Sequence, residues 1–581
     1  MTYPRNCFAG LTIGLLLATA GCQRNQTGQG ASDLSAGAQN CDPNSGLALP
    51  PGFCATIFAD GIGHARHLAI GADGTVFANT WSGEYFNNDK PPAGGFLIAM
   101  RDTNGDGKAD DVHRLGETSE SGATGGTGVA VYRGGIYVEQ GSRILRYAIG
   151  QDGLPEGKGE VVLDGLATDG EHNMHPFVIS EKGDLFVNTG SATNTCQVKN
   201  RMPESLGLSP CPEKPLRAGI WRYDANARDQ HYSAAGRYAS GLRNTGGLTF
   251  DGSGRLYGTQ HGRDELAQNW RRLYTDQQGA ELPAEELVEV IQGKDYGWPE
   301  CYFDPQKKQL ILAPEYGGDG AKTGLCAERQ GPVAAFPAHW APVDVTFYTG
   351  SQFPKKYQGG AFIAFHGSWN RSPLPQAGYN VVFQPFANGR PSGPYIVFAD
   401  GFAGAERSPE KAKFRPAGLA VDSHGALYVA DDQKGRIWRI TYRGPADASL
   451  VAASPASNAP AAPMSGKTAA DAALPPGATA EQLALGHAVF TGQAAGGTCA
   501  GCHGASGGGT SMGPSLTSGT WLWSDGSLEA IEATIRKGVP KPRNHRGAMP
   551  PMGGSNLSER ELDAVSVYAW SLGHSPAKPA Q

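Results

Sequence analysis

A short phrase recurs six times between residues 53 and 443, and it restricts the fold more than any other feature. It reads HLAIGADGTVFANT (67–80), GVAVYRGGIYVEQ (128–140), PFVISEKGDLFVNTG (176–190), GLTFDGSGRLYGTQ (247–260), GGAFIAFHG (359–367) and GLAVDSHGALYVADD (418–432). Each copy is a short apolar run, a turn that usually carries glycine, and a second alternating run, the pattern of a two-stranded hairpin. Six copies leave roughly 65 residues each, where a four-stranded propeller blade needs about 40–45, so there is room for long loops. The spacing is too wide for a β-helix. A β-sandwich is the competing arrangement. The reading is an all-β six-bladed propeller over 46–443, with the fifth copy weakest because of a longer turn at Ser351–Gly359. Glycine supports it: 83 of 581 residues, about twice the usual ~7%.

The flanks read differently. Residues 1–22 have Arg5, an apolar run from Phe8 to Ala20 and then Gly21-Cys22, the form of an export signal. Its end resembles a bacterial lipoprotein signal, which implies lipidation of Cys22, although Thr19 stands where leucine is usual. Residues 23–45 read as a flexible tether, and 444–479, rich in Ala, Pro and Ser, as a linker. No later run approaches 18 apolar residues, so no transmembrane helix is expected. A net charge of −6 disfavours a nucleic-acid partner. Six cysteines outside the signal and the tail suggest disulfides in an oxidising compartment, the periplasm. Proximity favours Cys41–Cys54, Cys196–Cys211 and Cys301–Cys326 among 15 possible pairings.

Phase within the repeat indicates a site. In four copies an apolar residue lies six before the turn glycine: Leu68, Phe177, Leu248 and Leu419. Five residues before that apolar position stand His172 and Arg243; four before it stand His64, Asn244 and Arg415. Equivalent positions ring a propeller's axis, so these groups converge at one mouth. Gathering Arg243, Arg415 and Lys413 there costs repulsion unless an anion lies between them.

These residues, with the segments HNMHPFVI, GLRNTGGL, QHGRDE, KDYGWPE, HGSWNR and FRPAGLAV in that order, give a body that resembles the PQQ-dependent sugar dehydrogenases, the soluble glucose and sorbosone/pyranose group. The resemblance implies pyrroloquinoline quinone (PQQ) on the propeller axis. It implies His172 as the base that removes the proton from the sugar C1 hydroxyl while hydride passes to PQQ. It also implies Arg243, Asn244, Arg415 and Lys413 as cofactor-binding groups, with Arg371 replacing a lysine of the glucose enzymes. Carbonyls of Gly262 and Arg263, after His261, would hold calcium. His175 stands where relatives carry arginine, and the glutamine of blade two is not identifiable in ATGGTG (123–128), which leaves the substrate open. A second calcium candidate is the loop with Asp102, Asn104, Asp106 and Asp110; His113 at its twelfth position excludes a full EF-hand, and a polar hairpin turn is the alternative.

The tail, 480–576, carries CAGCH at 499–503. Two thiols at this spacing bond to the haem vinyl groups, and His503 ligates the iron. Helical patterns flank it, with Ser558 and Glu561 fitting a capping box. The tail resembles a small all-α class I cytochrome c, which implies Met549 as sixth ligand, with Met552 the alternative. The two halves together imply a periplasmic, lipid-tethered dehydrogenase. Its substrate would be an aldose or a sorbosone-like aldehyde, and its electrons would leave through haem c to another cytochrome or terminal oxidase. The rival readings are a non-catalytic binding propeller with a cytochrome appendage and a haem-only oxidoreductase.

Overall fold

The computed structural model describes residues 41–82, 93–116, 125–372, 374–409, 411–453, 473–492, 494–495, 499–504, 507–509, 513–542, 545, 548–555 and 557–574. The signal, Cys22, residues 23–40, Ala123 and Thr124, and the linker stretch 454–472 lie outside these.

Six blades follow the six phrases, each built on four antiparallel strands, and blade two gains a fifth, Gln230–His231, paired parallel to its outer strand Pro155–Asp164. Blade one is Ala65–Ile70, Val76–Thr80, Leu97–Arg101 and Asp111–Leu115. Blade two begins with Val129–Tyr132 and Gly135–Gln140, blade three with Phe177–Ile179 and Asp184–Thr189, blade four with Leu248–Phe250 and Leu256–Gln260. Blade five begins with Pro342–Phe347 and Ala361–Phe365, blade six with Pro416–Val421 and Leu427–Asp431. The turn glycines Gly74, Gly183, Gly254 and Gly425 have φ of 88°, 100°, 80° and 86°. A side chain is strained in that left-handed region, which explains why the phrase keeps glycine there.

The strands are apolar on both faces because each blade is covered twice. Val76 and Ala78 pack toward Tyr428, Ala430 and Ile437 of blade six. Phe77, between them, packs toward Val129, Ile136 and Val138 of blade two. That is the two-residue period of a pleated strand. The first strand of each blade touches the first strand of the next, and the sixth touches the first, so the ring is closed. Phe53–Ala59 supplies the outer strand of blade six by pairing antiparallel with Ile437–Tyr442, which joins the two ends of the propeller chain.

The three proximity disulfides are the pairs present: Cys41–Cys54, Cys196–Cys211 and Cys301–Cys326. Both sequence boundaries move outward. Ser45, read as tether, accepts a hydrogen bond from Trp438 Nε1 (2.9 Å). Residues 444–453, read as linker, lie on the propeller: Ala453 is buried and its amide donates to Val397 (2.8 Å). Short apolar residues in a Pro-rich run give no periodic signal, so sequence alone did not attach them.

The tail folds as helices Ala480–Phe490, Cys499–His503, Leu528–Lys537 and Glu559–His574 around Val489, Phe490, Ile531, Leu562 and Val565. The first and last cross at Gly486, where a Cβ would lie 2.0 Å from the Ala564 carbonyl oxygen. Among the described residues no helix is long and apolar enough to cross a membrane.

Candidate functional site

Antiparallel pairing decides which loops share a mouth. The start of a blade's first strand lies beside the end of its second, as in Ala65↔Thr80, Pro342↔Phe365 and Pro416↔Asp431. Segments entering the first strand (His172, Arg243, Arg415) and segments leaving the second (His261 to Asp264, His366 to Asn370, Asp432) therefore emerge at the same end. Blades three and four carry long insertions after the second strand, which build the wall of that mouth.

At its centre lies a buried ionic network. Arg243 donates through Nη2 to Asp264 Oδ2 (2.9 Å), through Nη1 to the Gly262 carbonyl (2.9 Å) and through Nε to the Asn194 carbonyl (3.1 Å). Arg201 donates to the same Asp264 oxygen (2.9 Å) and to both oxygens of Glu171 (2.7 Å each). Asn370 Nδ2 donates to Asp264 Oδ1 (2.8 Å). Burial opposes charge on Asp264, yet Arg243 and Arg201 hold its carboxyl far below the usual range. The anion that the cation cluster requires is thus partly supplied by the protein itself. Asp264 stands in the quoted QHGRDE segment without an assigned role; Arg201 and Asn194 lie in an insertion outside the repeat, where phase offers no signal, and Glu171 immediately precedes His172.

His172 and Asn244 face each other across Gly190, whose Cβ would lie 2.5 Å from His172 Cβ and 3.3 Å from Asn244 Oδ1. His172 Nδ1 sits 2.9 Å from both the carbonyl and the hydroxyl oxygen of Ser191, and that hydroxyl donates onward to the Thr193 carbonyl (2.6 Å). Both neighbours of Nδ1 are acceptors, so Nδ1 carries the proton and Nε2 presents a lone pair. Burial first, then Arg243, push the imidazole well below its ordinary 6.5, so it is neutral at pH 7. Asn244 Oδ1 and Thr245 Oγ1 are buried with no hydrogen-bond partner among the described residues. Such atoms are costly unless something else bonds them.

The far side of the mouth is built by blades five and six. Arg415 donates to the carbonyls of His366 (2.9 Å) and Gly367 (3.0 Å), and His366 Nε2 lies 2.8 Å from Asp432 Oδ1. Asp432 also pairs with Arg66. The structure does not bring Lys413 or Arg371 into this cluster. Lys413 is exposed with its ammonium 5.4 Å from the Phe414 ring centre. Arg371 donates to the carbonyls of Ala338 (2.8 Å) and Pro375 (3.3 Å); its neighbour Asn370 reaches Asp264 instead. His175 has its ring nitrogens 3.0 Å from the carbonyls of Asn188 and Ala167, a structural bracing.

The two calcium candidates, the carbonyls of Gly262 and Arg263 and the loop from Asp102 to Asp110, lie in hydrogen-bonded surroundings. The Gly262 carbonyl is held by the Arg243 guanidinium, and the Arg263 side chain is bound to Glu315 (2.7 Å). In the other loop, Asp102 accepts the amides of Gly105, Asp106 and Gly107, Asn104 accepts that of Asp106, and Asp110 accepts that of Thr103. This is a hydrogen-bonded polar turn between two strands. Among the described residues the one trio of converging ligand atoms is Cys196, Cys211 and Glu213, whose cysteines are bonded to each other.

A second cavity lies in the tail, lined by Cys499, Cys502, His503, Leu516, Ile531, Val539, Met549 and Val565. Its apolar lining and its thiol pair suit a covalently attached haem. His503 Nδ1 is 2.8 Å from the Pro514 carbonyl, which fixes the proton there and leaves Nε2 for iron. Met549 lines this cavity and Met552 does not. Glu265, from the propeller, lines it as well.

Comparisons with known proteins divide the chain at the same place. The sequence profile of the TrAA12-like family matches residues 47–443, and that of cbb3-type cytochrome c oxidase subunit III matches 481–568. A pyrroloquinoline quinone-dependent pyranose dehydrogenase of Coprinopsis cinerea is 28% identical over 233 residues, 34% of this chain and 30% of that protein. The cbb3-type cytochrome c oxidase subunit FixP of Azorhizobium caulinodans is 41% identical over 76 residues, 13% of this chain and 25% of that one. The chain spans less than two thirds of the length of the curated relatives it matches. The holo PQQ domain of the Coprinopsis cinerea pyranose dehydrogenase shares the fold, with a TM-score of 0.54 at 19% identity, covering 68% of this chain and 97% of that one.

Proposed function

The chain belongs to the TrAA12-like family across residues 47–443, and on that premise we propose that it is a quinohaemoprotein dehydrogenase. It oxidises an aldose at its hemiacetal carbon to a lactone, or a sorbosone-like aldehyde, as its hydrate, to an acid. The observation that carries this reading is the neutral His172, whose Nδ1 is held by Ser191 so that Nε2 keeps its lone pair, next to Asn244 at Gly190 and in the same mouth as the Arg243–Asp264 pair. The names of the pyranose and sugar dehydrogenase relatives support the substrate class.

His172 Nε2 takes the proton of the substrate hydroxyl. Ser191 holds the ring in the required tautomer. Asn244 Oδ1 and Arg243 bind and orient the cofactor, and Arg415 fixes the opposite rim through the backbone of blade five. PQQ bound there would accept hydride and hold two electrons. Cys499 and Cys502 would hold a haem covalently, and His503 and Met549 would bind its iron; such a group would supply one-electron transfer to a cytochrome or oxidase. Three disulfides suit an oxidising compartment, and the N-terminal sequence suits export and a lipid on Cys22; we place the protein in the periplasm on these grounds.

The test uses haem-loaded protein with and without PQQ and added calcium, mixed anaerobically with a panel of aldoses and aldehydes. Reduction of the haem bands that needs both PQQ and substrate is the expected result. An intact haem spectrum with no saturable PQQ binding would instead support a non-catalytic propeller.

A further inference from the structure

The cytochrome meets the propeller at the loops that surround the mouth. Trp369 follows the second strand of blade five and lies against Gly501, between the two cysteines of CAGCH. A Cβ on Gly501 would be 3.0 Å from Trp369 Cε3 and 3.1 Å from Cζ3, so any side chain there would push the indole back by a few tenths of an ångström. Two contacts flank it. Ser372 Oγ donates to the Gly492 carbonyl (3.3 Å), and Arg271 Nη2 donates to the Gly554 carbonyl (3.3 Å).

The same loop reaches inward. Asn370, bonded covalently to Trp369, donates to Asp264 (2.8 Å), and Asp264 holds Arg243 (2.9 Å). A continuous path therefore runs from the cofactor-binding arginine through two hydrogen bonds and one peptide unit to an aromatic ring. That ring packs on the helix whose cysteines carry the haem. Glu265, one residue beyond Asp264, lines the haem cavity from the propeller side. The mouth and the haem crevice thus share a wall.

We propose that Trp369 couples the two redox centres. Its indole seats the haem-attachment helix on the propeller mouth and carries electrons from the quinol pocket to the haem within one chain. The proposal rests on the dehydrogenase reading above. Its balance is simple. Oxidation of one substrate carbon releases two electrons and two protons. The electrons leave one at a time, each converting a ferric haem to ferrous, while the protons pass to solvent. The second transfer requires that a one-electron acceptor, such as ferricyanide or a partner cytochrome, first reoxidise the haem.

The experiment compares the full haem- and PQQ-loaded chain with Trp369→Leu and Gly501→Leu. The second attacks the same contact from the other side and leaves both cysteines and His503 in place. Three readouts are taken: turnover with a phenazine dye that oxidises the quinol directly, stopped-flow haem reduction by sugar, and amide hydrogen exchange over 366–372 and 499–503 without substrate. In the wild type, haem reduction should be first-order and independent of protein concentration. In both variants dye-linked turnover should stay within about twofold while haem reduction slows by about tenfold or more. Exchange should rise in both segments. Wild-type haem reduction in both variants, or unchanged exchange in both segments, would overturn the proposal. Absence of dye-linked turnover in the wild type would instead fail the dehydrogenase reading, and the exchange data would still decide the seating contact.

Discussion

Replacing Asp264 by asparagine removes one charge and almost no volume from the carboxylate on which the mouth is built. Three donors converge on it: Arg243 and Arg201 at 2.9 Å and Asn370 at 2.8 Å. Removing one partner of a buried ion pair costs about 3–5 kcal/mol, mostly because the other charge is left buried and unpaired. Arg201 keeps both oxygens of Glu171 at 2.7 Å. Arg243 keeps only uncharged oxygens, the carbonyls of Asn194 and Gly262 and the Asn194 amide oxygen. One guanidinium rather than two is stranded, which sets the expected cost near the lower bound, about 3 kcal/mol. Unfolding entropy of about 2 cal/mol/K per residue over roughly 400 residues turns that into a fall in Tm of about 3–4 °C. Scanning calorimetry of the cofactor-free chain, following the propeller transition, measures it. The deficit should shrink when PQQ is added, because the cofactor's carboxylates supply the missing anion. A cofactor-free Asp264→Asn protein as stable as wild type would refute the reasoning, since Arg243 would then be compensated elsewhere.

Three other outcomes follow from the same geometry. His172→Gln should lower sugar oxidation by about 10²–10⁴-fold, the usual contribution of a general base, while PQQ titration still saturates. Glu286 is buried, and burial pushes its carboxyl up from 4.5 to about 8. The folded state therefore binds an extra proton between those values, and stability should fall as pH rises from 4.5 through 8 and then level off; Glu286→Gln should flatten the decline in denaturant midpoints by one proton. Met549→Ala should lose the charge-transfer absorption of methionine-ligated ferric haem, and Met552→Ala should keep it; the reverse pattern would reassign the ligand.

The repeat phrase made the propeller legible because its two constraints are local. A strand covered on both faces needs a continuous apolar run, and a tight turn needs a residue tolerant of positive φ, as Gly74, Gly183, Gly254 and Gly425 show. The CAGCH motif is legible for the same reason, since thiols and imidazole must lie on one short helix. His172 and Arg243 could be placed together because they share a phase relative to their strands, with Asn244 the next residue along. Lys413 and Arg371 show where that logic stops. Each lies beside a residue that does enter the mouth or brace it, Phe414-Arg415 and Asn370, and a shift of one or two residues in an irregular loop changes what a side chain reaches.

The sequence by itself determined the number of blades and the haem attachment motif, because each depends on spacing along the chain; it favoured the three disulfide pairs by proximity, and the structure selected them from 15 pairings. Only the tertiary structure decided what neutralises the arginines. Asp264 and Arg201 come from insertions of blades three and four that have no common period, Glu171 from the segment entering blade three, and their charges matter only once burial removes water from around them. The contact of Trp369 with Gly501 is of the same kind. The two residues lie in different domains on either side of the linker, and closing the structure alone brings an indole onto the haem-bearing helix.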